Sequence, residues 1–295
     1  VSNPLGVHAL VWAGGTGPDD VRRVVERSSA CGYDLVEFSL HDVAPDREPV
    51  IDTAATRALL EQHGLQVACS RGLSADADVS SEDPAVVQRG LELAVHSLRV
   101  TSELGGTVLT GALYSAFGKA SAPMSARGRA NVVASLRELA REAEGLGMTL
   151  GLEICNRYET NVVNTARDAL RLADDVGADN LVIHLDTYHM NIEETDLVTP
   201  VLEVGDRLGY VHVGENHRGY LGSGHVDLAG FFRALATTGY SGAITFESFS
   251  DAVVMRSLSD DLAIWRTLWE DSEDLARHAL ATMRGWLVAA GQHAG

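Results

Sequence analysis

The chain is poor in cysteine: Cys31, Cys69 and Cys155 are the three thiols in 295 residues, far apart and odd in number. No disulfide framework and no CxxC pair can be read from them, so each is expected to pack as a small hydrophobe in a reducing cytoplasm. Long apolar runs are also missing, and none approaches membrane-spanning length. The first residues, Val1 to Gly6, carry neither a basic region nor an apolar stretch, so no signal peptide is expected. Basic residues are scarce, with 23 Lys and Arg against 41 Asp and Glu, a formal net charge of -18. Such a chain repels phosphate backbones and anionic lipid, which excludes nucleic acid and membrane surfaces as expected partners. A dinucleotide fingerprint is absent too. The segment Trp12–Gly17 is glycine-rich but lacks the GxGxxG spacing and reads as a loop.

What is present is a repeating alternation in a chain that is 45% hydrophobic and 22% charged, ordinary for a protein with a large core. Short apolar or β-branched runs recur at Gly6–Trp12, Leu35–Leu40, Gln66–Gly72, Gly106–Leu113, Thr149–Cys155, Asn180–Asp186, Gly209–Glu215 and Ala243–Phe249. Between them lie segments of helical periodicity: Pro18–Cys31, Asp52–His63, Glu82–Leu104, Ser125–Leu146, Asn164–Val176, Leu197–Leu208, Asp227–Thr238 and a region from Asp271. Pro18-Asp-Asp suits the positive first turn of a helix, and Gly64 suits a helix stop. Strict strand–helix alternation predicts one closed parallel (β/α)8 barrel over residues 1–295 rather than an open doubly wound sheet. Two longer connections, from Tyr114 to Ser125 and from Ser248 to Asp271, fall on the C-terminal face, where long loops cover barrel active sites.

The last four strands each end in an ionisable residue: Glu153, Asp186, His212 and Glu247. Alternate residues on a strand face opposite ways, so these four point to the axis while Leu152, Ile154, Leu185, Val211, Val213 and Phe246 point to the helices. Three carboxylates converging in a buried mouth repel one another and require a compensating cation. Three oxygen donors and one imidazole, without thiolate, suit Mn²⁺, Co²⁺ or Mg²⁺ better than structural zinc. Other polar and aromatic residues read differently. Glu37 on the second strand reads as a structural hydrogen-bonding group and His184 as core packing. Glu215 has no assigned role, and Trp265 and Trp269, at helical spacing, read as a packing stripe.

Four segments carry a resemblance. Leu152–Glu159, His184–Glu194, His212–Gly222 and Thr245–Ser250 resemble the D-tagatose/D-allulose (psicose) 3-epimerases of the xylose-isomerase-like barrel superfamily. The resemblance covers nearly the whole chain and is sharpest from Leu152 to Trp269. It implies that Glu153, Asp186, His212 and Glu247 bind one divalent metal, commonly manganese or cobalt. It also implies that Glu159, His189 and Arg218, in loops just past the ligands, contact the C1–C3 end of a free ketose. Glu159 would hold the O1 hydroxyl or orient His189. Homodimers or homotetramers are implied as well. The chain departs from many relatives at His8, where they carry an aromatic residue, and at Phe117, where they carry tryptophan. Ser70 stands where some have cysteine. These positions are expected near the sugar's distal hydroxyls and leave the C4–C6 preference open.

Epimerising C3 of a 2-ketose needs a proton removed beside the carbonyl and another returned to the opposite face, through a cis-enediolate. Glu153 and Glu247 are the expected acid–base pair, each binding metal through one oxygen and keeping the other for the proton. His189 and Arg218 would stabilise the developing oxyanion. The rivals are an aldose–ketose isomerase on the same barrel, a metal-dependent phosphoesterase, and a sugar-binding protein without catalysis. The phosphoesterase would need a histidine-rich multi-metal cluster and a basic groove, both at odds with this sequence.

Overall fold

The computed structural model describes residues 3–45, 51–254, 259–260 and 262–293. Eight parallel strands close into a barrel in sequence order. They are β1 Leu5–His8, β2 Leu35–Ser39, β3 Gln66–Ser70, β4 Val108–Gly111, β5 Thr149–Glu153, β6 Leu181–Asp186, β7 Leu208–Val213 and β8 Ile244–Phe246. Around them run α1 Pro18–Cys31, α2 Thr53–His63, α3 Pro84–Glu103, α4 Ala126–Gly145 and α5 Ala166–Val176. The ring continues with α6 Thr187–Glu193, α7 Thr199–Val204, α8 Leu228–Thr238 and α9 Ser272–His293. No helix among the described residues is long and apolar enough to cross a membrane.

The helix boundaries follow from capping chemistry. Pro18 opens α1 with Asp19 and Asp20 in its first turn, and Gly32 closes it in the left-handed region. Asp52, Asp83, Ser125 and Thr165 each accept a backbone N–H at the start of a helix. The strands' outward residues fill the layer between barrel and helices: Val36, Phe38, Leu152, Leu185, Val211 and Phe246 have no exposure. The lumen below the mouth is polar instead, holding Glu37, Thr110, His184, Tyr210 and Thr245, all buried.

Several expectations are corrected. The first run ends as a strand at His8, because the His8 ring accepts the Leu10 N–H and turns Ala9–Val11 into a 3-10 helix. His189 does not lie in a loop. It sits on α6, which starts directly after β6 because Asp186 Oδ1 accepts the Tyr188 N–H at 2.7 Å. The expected helix over Leu197–Leu208 is α7 plus a 3-10 turn, Gly205–Arg207. Trp265 and Trp269 form no helical stripe: the chain there is irregular, Trp265 is 61% exposed and Trp269 is buried at 4%. Within the long connection after β8, residues 255–258 and 261 lie outside the described residues, as do 1–2 at the N-terminus.

One irregularity positions the site. Ile183 pairs with Leu208, but His184 pairs with Tyr210, so the register of β6 against β7 shifts by one residue. The shift brings Asp186 opposite His212. Without it Asp186 would meet Val211, whose side chain faces the helices, because a one-residue slip inverts the faces of a strand. Gly209 makes room for the shift: a Cβ there would lie 2.2 Å from Val182 Cγ2.

Candidate active site

A cavity of about 690 Å³ opens at the C-terminal end of the barrel. Glu153, Glu247, Glu159, His189, Arg218, His8, Ser70 and Phe117 line it. Asp186 and His212, essentially without exposure, lie beneath its floor. The structure therefore brings all ten sequence-predicted residues to one place.

At the centre is His212. Its Nδ1 lies 3.6 Å from Glu153 Oε1 and 3.5 Å from Glu247 Oε1, and it is buried without a hydrogen-bond partner among the described residues. Its other nitrogen, Nε2, meets Glu37 Oε2 at 2.7 Å. One ligand atom from each of Glu153, Asp186, His212 and Glu247 falls within 4.8 Å of all the others. An orphaned imidazole nitrogen facing three carboxylates fits a hard or borderline divalent cation. Glu153, His184 and His212 form a second possible group, as do Glu153, Cys155 and His189. In the first, His184 Nδ1 is bound to Thr110 Oγ1 at 2.7 Å, while its Nε2 is buried with no hydrogen-bond partner among the described residues. Gly151 lets Thr110 approach, since a Cβ there would lie 2.5 Å from Thr110 Oγ1.

Two different donors flank the carboxylates. On the Glu153 side stands His189, with Nε2 at 3.8 Å from Glu153, 3.5 Å from Asp186 and 3.9 Å from Glu159. His189 Nδ1 accepts from the Asn156 amide at 2.8 Å, so Nε2 carries the proton and points at the site. Burial, with Arg218 nearby, holds this imidazole well below its usual value, so it is a neutral donor. On the Glu247 side, Arg218 Nη1 donates to Glu247 Oε2 and lies 3.3 Å from Asp186 Oδ2. Its guanidinium stacks 3.7 Å over the Tyr188 ring.

The two outer carboxylates differ electrostatically. Burial pushes Glu153 up to about 7, with Glu247 and Asp186 adding to the rise against the pull of His212. Burial also raises Asp186, to about 6. It acts on Glu247 as well, but His212, Arg218 and His8 outweigh it and hold that carboxyl at about 2. In the bare site Glu153 thus holds its proton far more tightly than Glu247, the kind of separation that lets one pocket hold an acid and a base.

Asn156 was not singled out from the sequence. It bridges Glu159 Oε1 and His189 Nδ1, each at 2.8 Å, so Glu159 reaches His189 through an amide rather than directly. A short polar residue just past a strand-end ligand was the available signal. Glu215, unassigned above, accepts the Gly222 N–H at 2.9 Å while its carbonyl takes the Arg218 N–H, clasping the loop that carries Arg218. At the distal side, His8 Nε2 lies 3.4 Å from Ser70 Oγ, 3.5 Å from Glu37 and 3.9 Å from Glu247. His8 thus lines the cavity and also touches the carboxylate set. The Phe117 ring covers Gly72 so closely that a Cβ there would lie 1.9 Å from it.

Comparison with known proteins places this architecture. The sequence profile described as "Xylose isomerase-like TIM barrel" matches residues 25–286. The chain belongs to the xylose isomerase-like TIM barrel family. Within that family it is 47% identical to a ketose 3-epimerase of Arthrobacter globiformis, over 97% of both proteins. It is 48% identical to an L-ribulose 3-epimerase of Methylomonas sp. (strain DH-1), over 93% of this chain and 94% of that one. A crystal structure of a D-allulose 3-epimerase from Methylomonas sp. in complex with D-allulose superposes with a TM-score of 0.92 at 47% identity, covering 96% of each chain. This xylose isomerase-like barrel thus shares both its fold and nearly its full length with sugar epimerases.

Proposed function

We propose that the chain is a divalent-metal-dependent ketose 3-epimerase acting on free ketoses such as D-fructose, D-tagatose or L-ribulose. The observation that carries the proposal is the pair Glu153 and Glu247, set on either side of His212 Nδ1 within one cluster of four candidate ligands. Relatives at 47% and 48% identity that are a ketose 3-epimerase and an L-ribulose 3-epimerase support it.

Glu153, Asp186, His212 and Glu247 would hold the ion, Mn²⁺ or Co²⁺ by preference and Mg²⁺ as a third candidate. When bound, it supplies Lewis-acid stabilisation of negative charge on substrate oxygen, worth several kcal/mol in general. The protein's own groups do the rest. One of Glu153 and Glu247 takes the C3 proton, and the other returns a proton to the opposite face of the cis-enediolate. Which acts as base depends on the epimer bound. The His189 Nε2–H and the Arg218 guanidinium donate to the oxygen that gains charge. Glu159 with Asn156 orients His189, and His8, Ser70 and Phe117 face the distal end of the sugar. Assembly as a dimer or tetramer is part of the same proposal.

Turnover in D₂O tests the reaction. Metal-stripped protein resupplied with Mn²⁺ or Co²⁺ should convert a ketose to its C3 epimer with deuterium at C3. Aldoses deuterated at C2 would instead mean an isomerase, and sugar binding without exchange would mean a non-catalytic binder.

Metal removal should also be legible in stability. In the bare site burial raises Glu153 to about 7. Burial pulls His212 down, but Glu37, Glu247 and Glu153 outweigh it and raise the imidazole well above its usual value. Both groups hold protons more tightly folded than unfolded, so their stabilisation is lost as pH rises through the folded values. His8, His184 and His189 shift the opposite way and oppose this loss up to about pH 7.5, above which they are neutral in the unfolded chain as well. Glu37 and Glu247, held at about 2, change only in acid. Metal-free protein should therefore lose stability from about pH 7.5 to 8.5, where His212 still holds a proton that the unfolded chain has released, and Mn²⁺ should restore it. Melting curves with and without metal read this directly. A metal-free midpoint that does not fall across that interval would contradict the electrostatics assigned to the site.

A further inference from the structure

Beneath the four-residue cluster lies a polar layer that the proposed chemistry does not use. Glu37, on β2, reaches across the lumen to β7 and has no exposure. Its Oε2 accepts from His212 Nε2 at 2.7 Å and from the Tyr210 hydroxyl at 2.8 Å. Because the Tyr210 hydroxyl donates to Glu37, it accepts from Thr245 Oγ1, also at 2.8 Å. Among the described residues Glu37 Oε1 makes no hydrogen bond, and His8 Nε2 lies 3.5 Å from it. A carboxylate at this depth is costly unless its partners need it. An apolar filling of the lumen would be cheaper, since barrel interiors are ordinarily packed with branched hydrocarbon.

We infer that Glu37 is a positioning residue for the metal centre: it fixes the His212 ring so that Nδ1 is the nitrogen offered to the ion. The inference rests on reading the cluster as a metal site. A neutral imidazole has one N–H and one bare nitrogen, and the hydrogen bond made by one decides which the other is. Glu37 can only accept from His212, so it keeps the proton on Nε2 and leaves Nδ1 bare toward Glu153 and Glu247. A carboxylate behind a ligating histidine also raises the basicity of the ring and locks its orientation. Tyr210 and Thr245 hold Glu37 in turn, so the ring angle is set by a chain from β8 through β7 to β2. His8, paired with Glu37 across β1 and β2, joins this layer to Glu247.

The test compares Mn²⁺ affinity, from the electron-paramagnetic-resonance signal of free Mn²⁺ at fixed pH, in wild type, Glu37→Gln and Tyr210→Phe. Glutamine keeps the shape of Glu37, but its amide can also donate, so the bias toward a bare Nδ1 is lost. Glu37→Gln should bind Mn²⁺ about 10- to 100-fold more weakly, the range for such supporting partners. At saturating Mn²⁺ its KM for ketose should stay within about twofold of wild type, because Glu37 lies below the substrate cavity. Affinity within about twofold of wild type in a folded Glu37→Gln protein overturns the inference. So does a KM rise with Mn²⁺ affinity intact, which would make Glu37 a substrate-site residue. Should Glu37→Gln fail to fold, Tyr210→Phe takes its place: it removes one donor from Glu37 Oε2 and should weaken Mn²⁺ binding about threefold. Unchanged affinity there counts against the role. Wild type that binds neither Mn²⁺ nor Co²⁺ overturns the metal reading itself, and the inference with it.

Discussion

Glu153→Gln is expected to lower kcat by about 10²–10⁴-fold, because one of the two proton carriers is replaced by a group that cannot exchange a proton. The substitution is nearly isosteric. Among the described residues the Glu153 carboxylate makes no short hydrogen bond, the nearest imidazole nitrogens being those of His212 at 3.6 Å and His189 at 3.8 Å. The fold should therefore survive. Measuring kcat at saturating Mn²⁺ separates lost proton transfer from weakened metal binding. Isotope exchange adds a sharper signature. With Glu247 intact, the epimer whose C3 proton faces Glu247 should still exchange that proton with D₂O, yet fail to epimerise. The mirror substitution, Glu247→Gln, should reverse which epimer exchanges. Full turnover by a metal-loaded Glu153→Gln protein would remove Glu153 from the chemistry.

Arg218→Lys is expected to cost about 10²–10³ in kcat, the scale for removing a preorganised oxyanion donor. Lysine keeps the charge but not the planar fork or the stack on Tyr188, so a point charge alone should not suffice. Arg218→Met should be worse. It leaves Glu247 and Asp186 without their guanidinium, and breaking such a buried pair destabilises by about 3–5 kcal/mol. The position is built for this side chain despite its backbone cost. Arg218 adopts φ of 61°, a left-handed conformation rarely used by non-glycine residues. Its N–H is held by the Glu215 carbonyl, and its carbonyl accepts from Ser248 Oγ, which accepts from Trp269 Nε1 in turn. Steady-state kinetics together with melting curves distinguish the two effects. An Arg218→Lys protein with wild-type kcat would exclude the guanidinium as the oxyanion donor.

Much of this was legible in the chain itself. Eight alternating apolar runs and amphipathic segments determine a closed parallel barrel, because each strand must bury one face against helices and the other against the lumen. The four strand-end ionisable residues are visible as soon as the strand period is applied. Segments with side chains in unusual partnerships were not visible. Asn156 and Glu215 are ordinary polar residues until the fold sets Asn156 between Glu159 and His189 and Glu215 beneath the Arg218 loop, and Glu37, legible as a structural hydrogen-bonding group, gains its partner His212 only then. α6 was missed because Asp186 does two things at once. One oxygen caps the helix through the Tyr188 N–H, while the other faces Arg218 and His189.

The sequence by itself determined the order of strands and helices, the residue types at the barrel mouth and the family, since these depend on local periodicity and on side-chain chemistry. Only the tertiary structure decided how the four candidate ligands meet. The one-residue shift between β6 and β7 brings Asp186 level with His212. The separation of Glu153 from Glu247 in proton affinity arises from charges contributed by β1, β5, β6, β7 and the loop after β7, which become neighbours only when the barrel closes. Burial and charge pairing across strands far apart in sequence have no local signature, because each depends on distances that no single segment sets.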